Sequence, residues 1–372
     1  MNKIKILLAI SLIAFSITGC NFDQQKNKTI SIGVIIPLTG DYAKIGADIK
    51  KAIEIAEEDA VIQGLIKKDQ IKVVFEDNRL DATVTMNAYN KLKSLNNIQA
   101  VITVTSKCIL ALKPLANKDK ILLLNASAIS TEIEDSFDYC FSLIPDAQAE
   151  SIFLSEYILK NKNINDLALI YRNDQSGKSF QEEFTKHFLM NDGLIQISEA
   201  HPTNTTDFKT IITKIKNKEN VKAVFMASLG VEIAHFLKQS KELDLNIPVF
   251  TYETINQPNA IDIAGSLIDK VEFVSPKFYP QDTIFNTFRL SLKNKFGSDE
   301  INFYMTSHYN AYMLIASLLK EGSSSGEEFK AIIPSLGNFK FLGYETSIDS
   351  IGKASTALGI YGFNQKQLFL ID

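Results

Sequence analysis

Short aliphatic segments alternate with segments of helical periodicity along most of this 372-residue chain, and this alternation limits the fold more than any other feature. In the first helical segment, Ile45, Ile49, Ala52, Ile53 and Ala56 recur at the spacing of one helix face. The order strand, helix, strand, helix predicts a parallel sheet covered by helices on both faces, with right-handed crossovers. The predicted strands are 30–36, 71–75, 100–104 and 121–124, and the helices are 45–56, 82–95 and one ending near Leu115.

The same pattern begins again after Ile144-Pro145-Asp146, so we expect two α/β units of similar size. A mostly helical stretch, 283–319, and a β-like tail, 339–371, follow the second unit. The predicted elements of the second unit are strands 167–171, 195–199, 223–227 and 249–251 and helices 150–159, 180–190, 208–216 and 231–242.

Composition argues against several classes of protein. Hydrophobic residues make up 45% of the chain and charged residues 22%, which is typical of a globular protein rather than a disordered or multi-span membrane protein. The formal charge of −4 argues against a nucleic-acid partner, which would require a strongly basic surface. Three cysteines are too few for a disulfide scaffold, and the pairing of Cys108 with Cys140 stays open.

The N-terminus has the pattern of an export signal. Two lysines precede an uncharged aliphatic run, 6–17, that is too short to span a bilayer comfortably. The run ends in Ile17-Thr18-Gly19-Cys20, which resembles the bacterial lipobox. This resemblance implies that residues 1–19 are removed as a signal peptide and that Cys20 is lipidated and anchors the protein to a membrane. Because the residues after Cys20 are polar and lack periodicity, we expect residues 20–28 to form a tether. The alternative is an ordinary secretory signal that contains Cys20 by chance.

No motif predicts an enzyme. Gly322-Ser323-Ser324-Ser325-Gly326 matches G-x-S-x-G, but it follows a predicted helix rather than the strand that a nucleophile elbow requires. Ser176-Gly177-Lys178-Ser179 ends like a phosphate-binding loop but has Arg172 where that motif requires glycine. Because no nucleophile, base and orienting group come together, we expect no catalytic residue and no cofactor.

Metal binding is not predicted either. Glu232 and His235 lie on one face of a predicted helix, but no second pair completes a metal site, so we expect both to be solvated residues of a surface helix. Glu76, Asp77 and Asp81 form an acidic cluster after a strand, for which a solvated loop is favoured over a cation site.

Polar residues follow several predicted strands at the edge where open α/β sheets bind ligands. Thr105-Ser106 follows one strand, 125–130 (Asn-Ala-Ser-Ala-Ile-Ser) follows the next, and Tyr252-Glu253 follows a strand of the second unit. Hydroxyls and backbone N–H groups at helix starts suit a carboxylate, whereas Glu253 suits a cation, so the set matches an amino-acid zwitterion. Helix capping is the alternative role of each Ser and Thr.

A series of short motifs occurs in a characteristic order and spacing between about Thr29 and Ile371. Together they resemble the leucine/isoleucine/valine-binding family of solute receptors for ABC transporters, which has the type I periplasmic binding-protein fold. The resemblance implies an α/β protein of two Rossmann-like lobes with parallel sheets, joined by a three-crossing hinge and closing on a ligand. The motifs are Ile36-Pro37-Leu38-Thr39-Gly40, Phe75-Glu76-Asp77, Thr105-Ser106 with Pro114, Asn125-Ala126-Ser127-Ala128, Thr206-Asp207-Phe208, Tyr309-Asn310-Ala311, Gly343-Tyr344 and Ile348-Asp349 with Gly352.

The same resemblance divides the chain between the lobes. Lobe 1 is predicted to comprise residues 29–147 and 277–352, and lobe 2 residues 148–276 and 353–372. The C-terminal third would therefore complete lobe 1 before the last segment docks on lobe 2.

The resemblance also implies a ligand site. The position of Ser106 supplies a hydroxyl to the ligand carboxylate, those of Ser127 and Ile129 supply backbone groups, and that of Glu253 binds the ammonium group. Ile129 stands where the family has a threonine-like residue, so this hydroxyl contact is lost unless Ser130 replaces it.

Three further positions depart from the family. Aromatic residues that commonly line its side-chain pocket are replaced by Ile45, Ser176 and Leu229. These replacements predict a pocket of different size and polarity, and a ligand other than a branched-chain amino acid.

The resulting hypothesis is a lipid-anchored receptor on the periplasmic side of the cell envelope that captures an amino acid or amide for an ABC permease. The alternative is a lipoprotein of the same fold that senses a ligand or regulates an envelope enzyme, because a fold does not determine a function.

Overall fold

The computed structural model describes residues 28–133, 138–278 and 282–371. The predicted signal peptide, the lipidation site Cys20 and all of the tether except Lys28 lie outside the described residues. Within the described ranges, no helix combines the length and apolar character that a membrane span requires.

The N-terminal elements form the sheet of lobe 1. They are β1 (Ile30–Ile36), α1 (Ala43–Ile62), β2 (Ile71–Asp77), α2 (Ala82–Asn96), β3 (Ala100–Thr103), α3 (Ser106–Asp119), β4 (Leu122–Asn125) and β5 (Cys140–Ser142). The strands pair in the order β2-β1-β3-β4-β5, and all pairs are parallel, as the alternating sequence predicts. The aliphatic side chains of β1 are buried because this strand is internal and helices cover the sheet.

The middle of the chain forms most of lobe 2. Its elements are α4 (Ala147–Glu156), a π-helical turn (Tyr157–Asn161), β6 (Asp166–Arg172), α5 (Gln175–Met190), β7 (Leu194–His201), α6 (Lys209–Lys216), β8 (Ala223–Ala227), α7 (Gly230–Glu242), β9 (Val249–Tyr252), a 3₁₀ turn (Glu253–Ile255), α8 (Pro258–Ala264), a 3₁₀ segment (Gly265–Lys270) and β10 (Val271–Pro276). Aromatic side chains fill the space under α5, where Phe180 and Phe184 both contact Phe225 of β8.

The C-terminal third returns to lobe 1 and then crosses to lobe 2. Helix α10 packs along α1, and the last two strands extend the sheet of lobe 2. The elements are α9 (Thr283–Phe296), α10 (Phe303–Lys320), α11 (Gly326–Ile332), a 3₁₀ turn (Ile333–Ser335), β11 (Phe339–Lys340), β12 (Glu345–Ile348), β13 (Ala354–Thr356), β14 (Leu358–Asn364) and β15 (Gln367–Leu370).

The sheet of lobe 2 is mixed, which refines the predicted parallel architecture. Its order is β15-β14-β10-β9-β8-β6-β7. Strands β6 to β10 are parallel to one another, whereas β14 is antiparallel to β10 and β15 is antiparallel to β14. A separate three-stranded antiparallel sheet contains β11, β12 and β13. A hairpin can join antiparallel strands with a short turn, so the C-terminal tail extends the sheet without a crossover helix.

The chain passes between the lobes three times, after β5, after β10 and before β14. The crossings lie side by side and are joined by backbone hydrogen bonds. Ser142 N of the first crossing donates to Gly352 O of the third at 2.8 Å, and Lys277 N of the second donates to Ala357 O of the third at 2.7 Å. Strand β13 still pairs with β12, so the last crossing lies a few residues beyond the predicted boundary at 352/353. The lobe boundaries as a whole stay a prediction.

Candidate functional site

A cavity of about 210 Å³ lies between the lobes at the carboxyl ends of their strands, and we call it the cleft cavity. Lobe 1 contributes residues that follow β1, β2 and β3, and lobe 2 contributes residues at or after the ends of β6, β7, β8 and β9. This is the edge at which open α/β sheets bind ligands. Four predicted site residues line it together, namely Ile45, Ser106, Ser176 and Leu229.

The start of α3 faces this cavity without a side-chain cap. Asp81, Asp146 and Asp174 each cap the helix that follows them by accepting a backbone N–H, whereas Thr105 makes no such bond. The Oγ1 atom of Thr105 is buried and has no hydrogen-bond partner among the described residues. The first N–H groups of a helix carry a partial positive charge, so this helix start suits an anion.

Thr105 also has a strained backbone. Its φ of 65° and ψ of 144° lie in a region that β-branched residues rarely adopt. Such strain costs of the order of 1–3 kcal/mol and persists only where the surrounding structure enforces it. The conformation places Ser106 at the first position of α3, on the wall of the cleft cavity.

A group of four serines joins the lobes beside this helix start. Ser106 Oγ lies 2.9 Å from Ser176 Oγ of α5, and it accepts a hydrogen bond from Ser130 N at 3.2 Å. Ser179 Oγ donates to Ser130 Oγ at 3.2 Å. The hydroxyl of Ser130 is therefore engaged with lobe 2, and its predicted role as a substitute for the family's threonine hydroxyl stays a prediction.

Two serines of this group belong to the segment that resembles a phosphate-binding loop. That segment is instead the first turn of α5, which Asp174 caps by accepting Gly177 N at 3.0 Å. A Cβ atom on Gly177 would lie 2.0 Å from Arg172 O, so only glycine allows α5 to start so close to β6. The predicted helix start near 180 is too late, because α5 begins at Gln175, directly after its cap Asp174.

Several residues that the sequence analysis did not assign to the site also line the cleft cavity. Arg172 lies 3.1 Å from Asp174 and 3.9 Å from the buried carboxylate of Glu232. Glu232 accepts Asn204 N at 2.7 Å and Leu229 N at 3.1 Å, which orients two loops of lobe 2 toward the cavity. Its predicted solvated position is wrong, because the helix face that carries it packs against these loops. Other residues that line the cavity and were not assigned to the site include Tyr42, Arg79, Lys107, Asn204 and Tyr304.

Ser127 and Ile129 do not line the cleft cavity. Ser127 N donates to Asn125 Oδ1 at 3.2 Å, and the buried Ser127 Oγ has no partner among the described residues. Ile129 is buried in the core, where its carbonyl accepts Ala147 N at 2.7 Å. The contacts of both residues with a ligand stay predictions.

Glu253 lines a second cavity, of about 380 Å³, which we call the hinge-side cavity. The two cavities share a wall made by two pairs of consecutive residues. Tyr252 and Tyr304 face the cleft cavity, whereas Glu253 and Phe303 face the hinge-side cavity. The structure therefore separates Glu253 from Ser106, although both are predicted to bind one ligand.

The carboxyl group of Glu253 is paired with a second carboxyl group, that of Glu150 on α4. Glu253 is 2% exposed and Glu150 is 1% exposed, and the two side chains are within hydrogen-bonding reach of each other. Burial raises the pKa of Glu253 to about 8. Burial, together with the charges of Glu253 and Asp146, raises the pKa of Glu150 well above its usual value. Such a pair holds a shared proton near neutral pH.

The acidic cluster after β2 has a structural role. Asp77 accepts Leu38 N at 2.8 Å and Glu76 pairs with Lys91 at 2.7 Å, while Asp81 caps α2. Among residues 28–133, 138–278 and 282–371, no group of three or more His, Cys, Asp and Glu side chains is placed to hold a metal ion. Both Cys108 and Cys140 are buried and no disulfide joins them, which resolves the open pairing.

The comparisons with known proteins agree with this geometry. The family model described as periplasmic binding protein matches residues 29–364. A Leu/Ile/Val-binding protein homolog of Brucella melitensis is 27% identical over 62% of this chain, and the match spans 60% of the length of that relative.

Two solved structures have the same fold. The branched-chain amino acid transporter substrate binding protein LivJ from Streptococcus pneumoniae, in complex with isoleucine, superposes with a TM-score of 0.83 at 21% identity, covering 92% of this chain and 98% of that one. A solute binding protein of an ABC transporter from Rhodopseudomonas palustris, in complex with 3,4-dihydroxybenzoic acid, has a TM-score of 0.79 at 20% identity, with 90% and 93% covered. The fold thus accommodates ligands of different chemistry.

Proposed function

Because this chain belongs to the periplasmic binding protein family, we propose that it binds a small amino-acid-like solute between its two lobes. The family relatives named above are binding proteins rather than enzymes. The observation that carries the proposal is the cleft cavity at the carboxyl ends of both sheets, with the uncapped start of α3 on its wall. Opening of the lobes would admit the solute, and contacts from both lobes would favour the closed state.

The carboxylate of the solute binds at Thr105 and Ser106. The helix start provides backbone N–H groups and a partial positive charge, and the partnerless Thr105 Oγ1 provides a further donor. Ser176, on the opposite lobe, exchanges its contact with Ser106 for one with the solute when the site is filled.

Transport is the role that this architecture favours. The structure from Rhodopseudomonas palustris is named as a solute binding protein of an ABC transporter, so the partner of this chain would be an ABC permease that recognises the closed lobes. Cys20 would be lipidated and would hold the protein at the periplasmic side of the envelope.

Calorimetric titration with a panel of amino acids, amides and short-chain acids tests the ligand class. We expect Ser106→Ala to weaken any carboxylate-bearing ligand about tenfold or more, since a hydrogen bond to a charged group contributes roughly 1.5–3 kcal/mol. Ser94→Ala is the matched control, because Ser94 lies on the exposed face of α2. A full panel without any binder, or a Ser106→Ala variant with unchanged affinities, would refute this site.

Metabolic labelling tests the anchor separately. Cells that express the full chain and receive radioactive palmitate should yield a labelled protein, and Cys20→Ser should abolish the label. If the Cys20→Ser variant is labelled as strongly as the wild type, the anchor proposal fails and the binding proposal stands.

A further inference from the structure

Basic side chains are concentrated at the cleft cavity, although the chain as a whole has a formal charge of −4. Arg79 and Lys107 of lobe 1 and Arg172 of lobe 2 line this cavity, together with a single acidic residue among those described. We propose that the solute carries two acidic groups, as an acidic amino acid or a dicarboxylic acid does. One carboxylate binds at the start of α3, and the second acidic group binds to Arg172 and Lys107. This inference rests on the proposed function, because it assigns the class of solute.

The guanidinium group of Arg172 has hydrogen-bond donors without acceptors. Such a group has five N–H donors and keeps its charge at any ordinary pH. Its buried Nε atom lies 3.1 Å from Asp174 but makes no hydrogen bond of acceptable geometry. Neither Nη atom donates to a carboxylate or a carbonyl group in the part of the chain that the structure describes. Buried donors without an acceptor are uncommon in folded proteins, which indicates that this group serves a ligand.

The side chain of Arg172 is directed into the cleft cavity. It is 13% exposed, and its positive charge acts on the hydroxyl groups of Tyr42, Tyr252 and Tyr304, all of which line the cavity. Tyr42 belongs to lobe 1, so the guanidinium group of lobe 2 reaches across the cleft. A planar guanidinium group in this position can hold a carboxylate through two parallel hydrogen bonds.

The acidic groups near Arg172 are already engaged. Asp174, the acidic residue on the cavity wall, caps α5 by accepting Gly177 N at 3.0 Å. Glu232 lies behind the wall and accepts two backbone N–H groups. Both carboxylates lie nearest to the Nε atom of Arg172, at 3.1 and 3.9 Å. They therefore hold the guanidinium group in place while its Nη groups are available to a ligand.

Lys107 adds a positive charge from the opposite lobe. It follows Ser106 in the first turn of α3, where a cation is unfavourable to the helix dipole. The side chain is exposed and has no ion pair or hydrogen bond within the described ranges. Arg79 is also exposed, with a loose contact of 3.6 Å to Asp77. Because basic groups face the cavity from both lobes, an acidic group between them reduces their repulsion and favours the closed state.

The volume of the cleft cavity agrees with a small acid. About 210 Å³ is less than the roughly 300–1,000 Å³ that is typical of pockets for drug-sized ligands. Ile45 and Leu229 provide apolar surface for the methylene groups that would separate the two acidic groups. The cavity therefore combines two sites for acidic groups with a short apolar wall.

Calorimetry of the whole protein with three pairs of solutes tests the proposal, because each pair has nearly one shape and differs in the second acidic group. The pairs are L-glutamate with L-glutamine, L-aspartate with L-asparagine, and glutarate with its monoamide glutaramate. In at least one pair we expect the acid to bind at least tenfold more tightly than the amide. High ionic strength should reduce this ratio, since part of the contact is at the exposed end of the cavity. Preference for glutarate over glutaramate supports the proposal without any requirement for an amino group.

The ratio of acid to amide affinity separates a charge effect from general damage to the fold. Lys107→Gln should reduce this ratio several-fold. Lys118→Gln is the matched control, because it removes the same charge at the far, exposed end of α3 and should leave the ratio unchanged. Arg172→Gln should reduce the ratio at least tenfold, and Arg172→Lys should keep part of it, because one ammonium group replaces a bidentate contact. Lys107→Gln is decisive if the variants of Arg172 do not fold, since Lys107 is exposed.

The failures of the two proposals are distinguishable. The second acidic site is refuted if every amide binds as tightly as its acid, or if none of the three pairs binds although another solute of the wider panel does. An unchanged ratio in Lys107→Gln and in every folded variant of Arg172 refutes it as well. In each of these cases the solute-binding function stands. If no solute of the wider panel binds at all, the proposed function itself fails.

Discussion

The hydroxyl of Ser106 at the start of α3 and the hydroxyl of Ser176 in the first turn of α5 lie 2.9 Å apart, so a direct hydrogen bond joins the two lobes beside the cleft cavity. The bond is possible because position 176 carries a short side chain, which lets the two helix starts approach each other. A second contact, between Tyr42 and Asn204, joins the lobes at the outer side of the cavity. The two lobes are therefore held together partly by their own side chains.

Removal of the Ser176 hydroxyl should shift the protein toward its open form. A neutral hydrogen bond contributes about 0.5–1.5 kcal/mol, so Ser176→Ala should increase the ratio of open to closed protein roughly 2- to 10-fold. Small-angle X-ray scattering without ligand should then give a larger radius of gyration. Ser317→Ala on α10 is the control, since its hydroxyl donates to Met313 O within one helix. An unchanged scattering profile for Ser176→Ala would contradict the role of this bond.

Because the backbone at Thr105 is strained, we expect a glycine at this position to stabilise the folded protein. Thr105→Gly should raise the free energy of unfolding by about 1 kcal/mol, because relief of a strained backbone exceeds the added entropy of the unfolded chain. Urea denaturation measures this difference. Thr103→Gly should do the opposite, since Thr103 lies in β3 with its hydroxyl bonded to Ile35 O at 2.7 Å. Destabilisation by both substitutions would show that the Thr105 conformation carries little strain.

The buried carboxyl pair predicts a pH dependence of stability. The pKa of Glu253 is about 8 in the folded protein against an ordinary 4.5, so between these values the folded state binds more protons than the unfolded state. The pair therefore makes the free energy of unfolding fall as pH rises from about 4.5 to about 8, by at most about 1.4 kcal/mol per pH unit for each proton.

The matched measurement compares the wild type with the double variant Glu150→Gln/Glu253→Gln. Urea denaturation of both proteins at pH 5 and pH 8 gives the contribution of the pair as the difference between the two slopes. The wild type should lose stability relative to the variant as pH rises. Parallel pH profiles would mean that the two carboxyl groups titrate normally.

Because Glu232 holds two loops beside the cleft cavity, we expect its side chain to stabilise the folded protein. Glu232→Ala leaves the N–H groups of Asn204 and Leu229 without their acceptor, which should lower the free energy of unfolding by about 2–3 kcal/mol. Thermal denaturation should show the loss, and Glu242→Ala, at the exposed end of the same helix, should leave stability nearly unchanged. Equal effects of the two substitutions would argue against a specific role of Glu232.

Local patterns predicted most of the secondary structure. Strand β1 and the strand at 223–227 have the predicted bounds, because an aliphatic run with polar or turn-forming flanks is a strong local signal. The late prediction of α5 had a local cause, since its polar first turn carries no apolar periodicity. The antiparallel strand β14 was not distinguishable from a parallel one, because strand direction depends on the partner and not on the strand's own residues.

The sequence also predicted only some of the residues of the candidate site. Ser106 was predicted from its place after a strand, and Ile45, Ser176 and Leu229 were implied by the family resemblance; all four line one cavity. Arg172 ends a strand whose carboxyl end faces the cavity, whereas Tyr304 reaches it from α10 and carries no local signal for this cavity.

The sequence by itself determined the α/β class, the positions of the strands and the polar ends of those strands, because these depend on residues near one another along the chain. Only the tertiary structure decided that Glu150 of α4 lies against Glu253, that a wall of tyrosines separates Glu253 from Ser106, and that Ser106 meets Ser176 across the lobes. These relationships depend on how three chain crossings set one sheet against another. Contacts between residues far apart in the sequence arise from that packing. No local sequence pattern predicts which buried charged groups will meet.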